Sequence, residues 1–551
     1  MASPVRISFL GGLGEIGRNC AVLECDDQLV VLDCGQMFVD DAFPGVDAVL
    51  PDFSYLLDNA DRIAGCIVTH AHEDHIGGIP YLLGDVAMPI YGSKFTLGMV
   101  RHKLNERDLL GQADLHVVDD GDIVDIGPFT CEFIPVTHST PSGLITAFKT
   151  PQGTILHSSD FKLDLTPVDG RRTDLARIGA LGDEGIRLLL CDSTNADSEG
   201  QSTSESTIGP IMHDLFAANV GRRMIVAAFS SHIHRLQQVI DAALAHGRTI
   251  ATLGLSMGRN VQLAREMGLL EVPDSKLLDI ADVAEIEPDE VCILCTGSQG
   301  ETRAALTLMA RGESKWTTIT DQDTVVFSSH PIPGNEASVG RMQNDLARAG
   351  ARIVHTGHLG VHTTGHGKQH ELKTLHSVAA PEWFVPVHGE YTHLVAHRDL
   401  AYQLMDRDRV VFATDGVQLT LDDEGLSVTG EVPASHIYVQ GIVGAIDEQL
   451  LGDRTVLGSD GFVAIQATVN YATREVVQGP EIEQRGWLTP EVFHQLEPKL
   501  HDAAHDALSE ILLDDEVVDA DCERVVRRAV GRLVNSETRR RPMLVPIIRG
   551  V

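Results

Sequence analysis

Three histidines and an aspartate fall within six positions, His70, His72, Asp74 and His75, in the run Thr69-His70-Ala71-His72-Glu73-Asp74-His75. Imidazole nitrogens and carboxylate oxygens are the ligands that divalent zinc or manganese takes. The apolar run Gly65-Cys66-Ile67-Val68-Thr69 before them reads as a strand, so the histidines stand in a loop just past a strand end. There His70 and His72 can converge on one cation, with Asp74 and His75 directed at a second. Two such cations bring the pKa of a water near neutrality and stabilise charge in a hydrolytic transition state. The run therefore points to a two-metal hydrolase.

One loop supplies too few ligands for two metals, and the remainder are sought at other strand ends. His138 follows Pro135-Val136-Thr137, Asp160 follows the apolar Ile155-Leu156-His157, and His388 follows Val385-Pro386-Val387. Asp160 could bridge both ions. Asp33, closing the strand of Leu32-Asp33-Cys34-Gly35, is placed to hold a ligating histidine by a hydrogen bond, with a turn-capping aspartate as the lesser alternative.

The elements that must carry these groups change texture along the chain. Up to about residue 200, short β-rich runs alternate with Gly/Asp/Pro turns: Val5–Leu10, Ala21–Cys25 and Leu29–Asp33, with Asp26-Asp27 as a hairpin turn. From about 203 to 345, strand and helix alternate: Arg223–Ala228 with a helix over His234–His246, Thr249–Thr252 with a second, and Val291–Cys295 with a third near Arg303–Ala310. That repetition predicts parallel β/α units. After 350 the His- and Gly-rich texture returns, and a charged, aromatic-poor tail from 455 to 551 holds helical stretches around Pro490–Leu513 and Ala520–Val534.

With 551 residues the chain is too long for one core. Against 43 lysines and arginines stand 79 acids, a net charge of −36, which lowers the prior for a polyanionic partner without excluding a groove made positive by metal ions. No apolar run reaches the roughly 20 residues of a membrane span, and Met1–Arg6 shows no signal-peptide pattern. Nine scattered cysteines, an odd number, disfavour a disulfide framework and suit a reducing cytoplasm. Gly12-Leu13-Gly14-Glu15-Ile16-Gly17 fits G-x-G-x-x-G, but the following Asn19–Cys25 reads as strand, whereas a dinucleotide needs a helix there, so no nicotinamide cofactor is expected. Cys292 and Cys295 lie inside an apolar strand and read as buried thiols.

Longer motifs narrow the reading. The His70–His75 run with Asp33, His138 and Asp160 resembles the metallo-β-lactamase fold. Gly11–Asn19, Cys191–Ala196, Thr296–Glu301, Pro333–Glu336, His362–Gly367, Pro386–Glu390 and the closing Arg539–Met543 resemble its β-CASP nuclease branch and, within it, the ribonuclease J family, nearly end to end. The resemblance implies an αββα sandwich split by a doubly wound β-CASP insert, with a small C-terminal α/β domain. The implied spans are 1–205 and 349–435 for the core, 206–348 for the insert, 436–454 for a linker and 455–551 for the last domain. It implies His70, His72 and His138 on one metal, Asp74, His75 and His388 on the other, and Asp160 bridging. Two divalent ions are expected, zinc first, with manganese or magnesium as alternatives.

Carried over further, Asp74, Asp192 and His366 become the catalytic residues, with His366 the proton donor to the leaving oxygen. Ser230, Ser231, His362, Thr364, Gly365 and His366 become contacts to RNA phosphate, although Ser230 and Ser231 could equally cap the helix that follows. A histidine at 388 goes with RNA substrates in this superfamily. Three positions depart from the family pattern: Leu255 stands where an arginine is usual, Thr364 where serine is common, and His232 where many members have asparagine. The implied activity is hydrolysis of RNA phosphodiesters, 5′→3′ exonucleolytic and endonucleolytic, by a cytoplasmic homodimer or homotetramer without membrane association. A hydrolase of small esters or lactams on the same core is the enzymatic alternative, and an RNA-binding subunit with little catalysis of its own is the other. A second domain forming a groove argues against the first, and the complete ligand set against the second.

Overall fold

The structure is a computed structural model that describes residues 2–37, 43–441 and 444–551. The chain divides into two units, Met1–Asp40 with Ala48–Ile437, and Asp41–Asp47 with Tyr438–Val551.

In the first unit, alternation of apolar residues builds two facing sheets. The first runs Leu426–Glu431, Val417–Leu421, Val5–Gly11, Cys20–Cys25, Gln28–Leu32, Ile63–Val68, Pro89–Gly92 and Asp114–Val117. The expected hairpin at Asp26-Asp27 is present, both residues at positive φ (47° and 63°), the geometry of a tight two-residue turn. The second sheet runs Trp383–Val387, Ile186–Asp192, Gly153–His157, Leu144–Thr150, Phe129–Pro135 and Ile123–Ile126. Val5, Ile7, Phe9 and Val30 of one sheet share a buried core with Phe129, Phe133, Phe148 and Leu188 of the other. Behind the second sheet, Ile134, Leu156 and Leu189 pack against Ile178 and Leu181 of helix Leu175–Glu184 and Leu372 and Leu375 of helix Gln369–Ala379. This is the αββα sandwich.

The insert is the doubly wound element. Its six strands, Leu277–Leu278, Thr249–Leu253, Val291–Cys295, Arg223–Ala227, Asp323–Phe327 and Arg352–Val354 in spatial order, are all parallel. Val291–Cys295 is buried at every position, as a parallel strand covered on both faces must be, and Cys292 and Cys295 are free thiols within it.

In the second unit, Phe462–Asn470 pairs antiparallel with Glu475–Arg485 and parallel with Met543–Gly550. Val463, Ile465 and Val469 meet Leu500, Leu508, Val526 and Val530 of helices Pro490–Ile511 and Asp519–Thr538. The tail thus holds a sheet as well as the helices its texture suggested. The span read as a linker, 436–454, carries strands Ile437–Gln440 and Gly444–Ile446 and the start of helix Glu448–Asp460. The apolar Ile437-Tyr438-Val439 favours a strand, and Asp447 caps the helix by accepting the Leu450 N–H at 2.7 Å. Residues 442 and 443 of that span lie outside the described residues.

Candidate metal centre and groove

Strand direction decides which side chains meet. Gly153–His157, Ile186–Asp192 and Trp383–Val387 are parallel neighbours, so the residues at or just past their C-terminal ends, Asp160, Asp192 and His388, emerge along one edge. In the other sheet, Gln28–Leu32 and Ile63–Val68 are also parallel and deliver Asp33 and Thr69 together. Asp33 (φ 60°) and His388 (φ 56°) sit in the left-handed backbone region, where the chain turns sharply off its strand.

Two groups of candidate ligands result. The donor atoms of His70, His72, His138 and Asp160 lie within 4.8 Å of one another, as do those of Asp74, His75, Asp160 and His388, so Asp160 is common to both. In the first, His72 Nδ1 is 3.1 Å from both His70 Nε2 and His138 Nε2. In the second, His388 Nε2 is 3.4 Å from Asp160 Oδ1 and 3.5 Å from Asp74 Oδ2, and His75 Nε2 is 3.3 Å from Asp160 Oδ2. Asp192 approaches the same centre, but its oxygens are already taken by Thr194 N and Oγ1 (2.9 and 2.8 Å) and by His366 Nδ1 (2.8 Å).

Hydrogen bonds behind the rings assign the tautomers. His138 Nδ1 donates to the Gly365 carbonyl at 2.8 Å, which leaves Nε2 unprotonated. The Thr69 hydroxyl donates to Asp33 at 2.9 Å, so it accepts from His70 Nδ1 at 3.0 Å, while His75 Nδ1 donates to Asp33 directly at 2.8 Å. The second group repeats the device. Thr194 Oγ1 donates to Asp192 at 2.8 Å and accepts from His388 Nδ1 at 2.8 Å. Each of these rings thereby turns its other nitrogen, Nε2, toward the centre.

Charge follows the same division. Burial, reinforced for His70 by His75 and for His138 by His72, holds those two imidazoles well below their usual pKa, and burial brings His72 to about 4. Burial also opposes protonation of His75 and His388, but Asp160 and its neighbours outweigh it, keeping His75 well above its usual value and pushing His388 to about 10. Burial would raise Asp160, and the surrounding imidazoles, His388 first, hold it well down.

These observations fit a divalent cation. His388 Nε2 is buried without a hydrogen-bond partner between the carboxylates of Asp74 and Asp160, where a bound cation would take the place of the proton that those carboxylates favour. Three imidazoles held neutral converge their ring nitrogens on one point, as ligands of a divalent cation do.

The centre opens onto a groove of about 1180 Å³ lined by both the sandwich and the insert. Ser230, Ser231, His362, Thr364, Gly365 and His366 all line it. Neither serine caps the next helix: its N-cap is His232, which makes no side-chain capping bond, and Ser230 Oγ instead accepts from Asn260 at 2.9 Å. Thr364 Oγ1 accepts from Asn195 (2.9 Å) and the His366 N–H (3.1 Å), and so shapes the loop. His362 is held by Arg235, whose guanidinium lies 3.2 Å from its Nδ1. His232 is buried, its Nε2 3.5 Å from Glu205. Leu255 projects into the groove, 81% exposed.

Sequence reasoning assigned no role to several supports. Asn19 Nδ2 donates to the Asp74 backbone carbonyl (3.0 Å) and carboxylate (3.2 Å). Ser139 Oγ lies 3.2 Å from His72 Nε2. Lys162 Nζ donates to the carbonyls of Thr203 (2.8 Å) and Thr364 (3.3 Å), tying the entry to the insert to the loop that carries His366. Asn19 and Lys162 fall within or beside motif residues, which is the only signal that could have found them.

Comparison with known proteins agrees with this geometry. Residues 221–346 match the family described as "Ribonuclease J, beta-CASP domain", 449–551 "Ribonuclease J C-terminal domain", 31–196 "Beta-lactamase superfamily domain", and 358–411 "Zn-dependent metallo-hydrolase RNA specificity domain". The chain is 41% identical to ribonuclease J of Mycolicibacterium smegmatis over 99% of its own length and 97% of that protein. It is 36% identical to ribonuclease J2 of Bacillus subtilis, over 99% of each. A crystal structure of an Enterococcus faecalis protein of unknown function shares the fold over 77% of this chain and all of that one, with a TM-score of 0.52 at 14% identity.

Proposed function

Because this chain belongs to the ribonuclease J family, and is accordingly a divalent-metal-dependent ribonuclease, we propose that its two ligand groups form a two-metal centre on which RNA strands are cut both from the 5′ end and internally. His70, His72 and His138 would hold one ion and Asp74, His75 and His388 the other, with Asp160 within reach of both. The observation that carries this reading is the meeting of His388 with Asp74 and Asp160: a side chain more than 300 positions from the histidine run closes the second ligand group with a bare, buried nitrogen. The first group, three imidazoles with the Asp160 carboxylate, favours zinc, with manganese or magnesium as alternatives.

When bound, the ions activate water and stabilise charge on the phosphoryl oxygens. The protein's own groups do the rest. Asp192 holds His366 Nδ1 and turns Nε2 toward the centre, 4.0 Å from Asp160. Burial opposes protonation of His366, yet Asp192 outweighs it and raises its pKa, so the ring can carry a proton to the departing 3′ oxygen. The groove, with Ser230, Ser231, His362, Thr364 and Gly365 along its wall, admits an extended strand to that point. We assign the protein to the cytoplasm as a homodimer or homotetramer, a reading supported by nine free cysteines and by the family resemblance. No described helix is long and apolar enough to cross a membrane.

The test is purified protein with Zn²⁺ or Mn²⁺ on RNAs bearing 5′-monophosphate, 5′-triphosphate or 5′-hydroxyl and labelled at either end. Cleavage that disappears in the His72→Ala/Asp74→Ala double variant is expected. Equal activity in that variant, or no RNA loss with any metal, overturns the reading.

A further inference from the structure

A chain of net charge −36 must still draw a polyanion into its groove, and the cations available there are few. Four lysines and arginines line it: Lys103, Arg259, Arg303 and Lys368. Two are already engaged. Lys103 Nζ lies 2.6 Å from both oxygens of Glu73, and Arg259 is paired with Glu106. Such pairs present little net charge to a passing phosphate. Among the described residues, neither Arg303 nor Lys368 has a carboxylate at ion-pair distance.

The two free cations come from the two walls. Arg303 is exposed and stands two residues before helix Ala305–Ala310, in the turn after the insert strand Val291–Cys295. Ala304 packs close to Gly297 in that turn, where a Cβ on the glycine would lie 2.9 Å from the Ala304 Cβ, so the residue beside Arg303 is fixed against the strand end. Lys368 belongs to the sandwich, as N-cap of helix Gln369–Ala379 and two residues after His366. A backbone bridge between Asn195 and Lys368 anchors its main chain to the loop beyond Asp192. One cation without a side-chain ion pair is therefore anchored by its main chain close to the metal centre, where Glu371 accepts its backbone N–H at 2.9 Å, and the other stands on the facing insert.

We propose that Arg303 and Lys368 are positioning residues that each take one phosphate of the RNA strand, and so set the strand's path across the groove. This rests on the ribonuclease reading above. Each phosphate neutralised by a protein cation releases counterion from the RNA, which makes binding salt-dependent.

The test is steady-state cleavage of a single-stranded 5′-labelled RNA by the metal-loaded full chain at several salt concentrations. Arg303→Ala and Lys368→Ala are each expected to raise KM several-fold, to leave kcat within about twofold, and to reduce the slope of log KM against log salt by about 0.7. Arg303→Lys and Lys368→Arg restore the slope, and Arg259→Ala changes it by less than either. Unchanged KM and slope in both alanine variants overturn the proposal, as does a fall in kcat at constant KM, which marks a merely structural role. A shift in one variant alone overturns the two-walled path. If the wild type fails to cut RNA, it is the ribonuclease reading that fails, and the outcomes are separable.

Discussion

Asp192 Oδ2 lies 2.8 Å from His366 Nδ1, while the other oxygen of the same carboxylate receives the Thr194 hydroxyl. Asp192→Asn keeps an oxygen for Thr194, and with it the seat of His388, but offers an N–H where His366 needs an acceptor. The variant is expected to retain its metal, measured by plasma mass spectrometry, while single-turnover cleavage falls about 10²–10⁴-fold. Parallel loss of metal and activity would mean that Asp192 serves the ions and not the proton.

Thr69 and Thr194 occupy equivalent posts, each relaying a carboxylate to the outer nitrogen of a histidine. Valine matches the shape of threonine and removes the relay. Thr69→Val and Thr194→Val should each weaken metal affinity about 10–100-fold, and the serine variants should stay near wild type. Competition against a chromogenic chelator reads this directly, and an unchanged affinity in both valine variants would remove the relay from the account.

Arg235 has no exposed surface and gives its Nε and Nη2 to Glu205, with Nη1 2.8 Å from Ser328 Oγ. Arg235→Met strands a buried carboxylate and is expected to cost about 3–5 kcal/mol, seen as a drop in the first unfolding midpoint. Adding Glu205→Gln removes the unpaired charge and should recover part of the loss. A double variant no better than the single would show that the cost is packing.

Burial and the neighbouring Glu15 push Asp415 up to about 7, against the Arg18 guanidinium 3.1 Å away. An acid whose folded pKa exceeds its ordinary 3.8 is held more protonated by the native state, so its contribution is intact below 3.8 and is lost as pH rises through about 7. Stability relative to Asp415→Asn should therefore be lower at pH 8 than at pH 5. The measurement is the difference in urea midpoint between the two proteins at each pH, and a difference that does not change with pH refutes it.

The histidine run was legible because metal chemistry fixes both residue type and spacing within a few positions. His138, Asp160 and His388 were legible because each closes an apolar strand. The Val291–Cys295 strand was visible from continuous apolar character, and the Asp26-Asp27 turn from its residues. The relay through Thr194 to His388, and the Arg235–Glu205 pair, join residues 194 and 30 positions apart with no periodicity linking them, so only the fold brings them together. The strands within 436–454 escaped notice because they are short and flanked by glycine and polar residues.

The strand Val5–Gly11 finds its outer neighbour in Val417–Leu421, and the ligand groups draw on residues from His70 to His388. Synthesis proceeds from the N-terminus, so the edge of the first sheet stays unpaired until more than three-quarters of the chain exists, and the second metal position lacks a ligand almost as long. A growing polypeptide therefore carries no complete second ligand group until His388 has been made and the early strands have paired with the late ones.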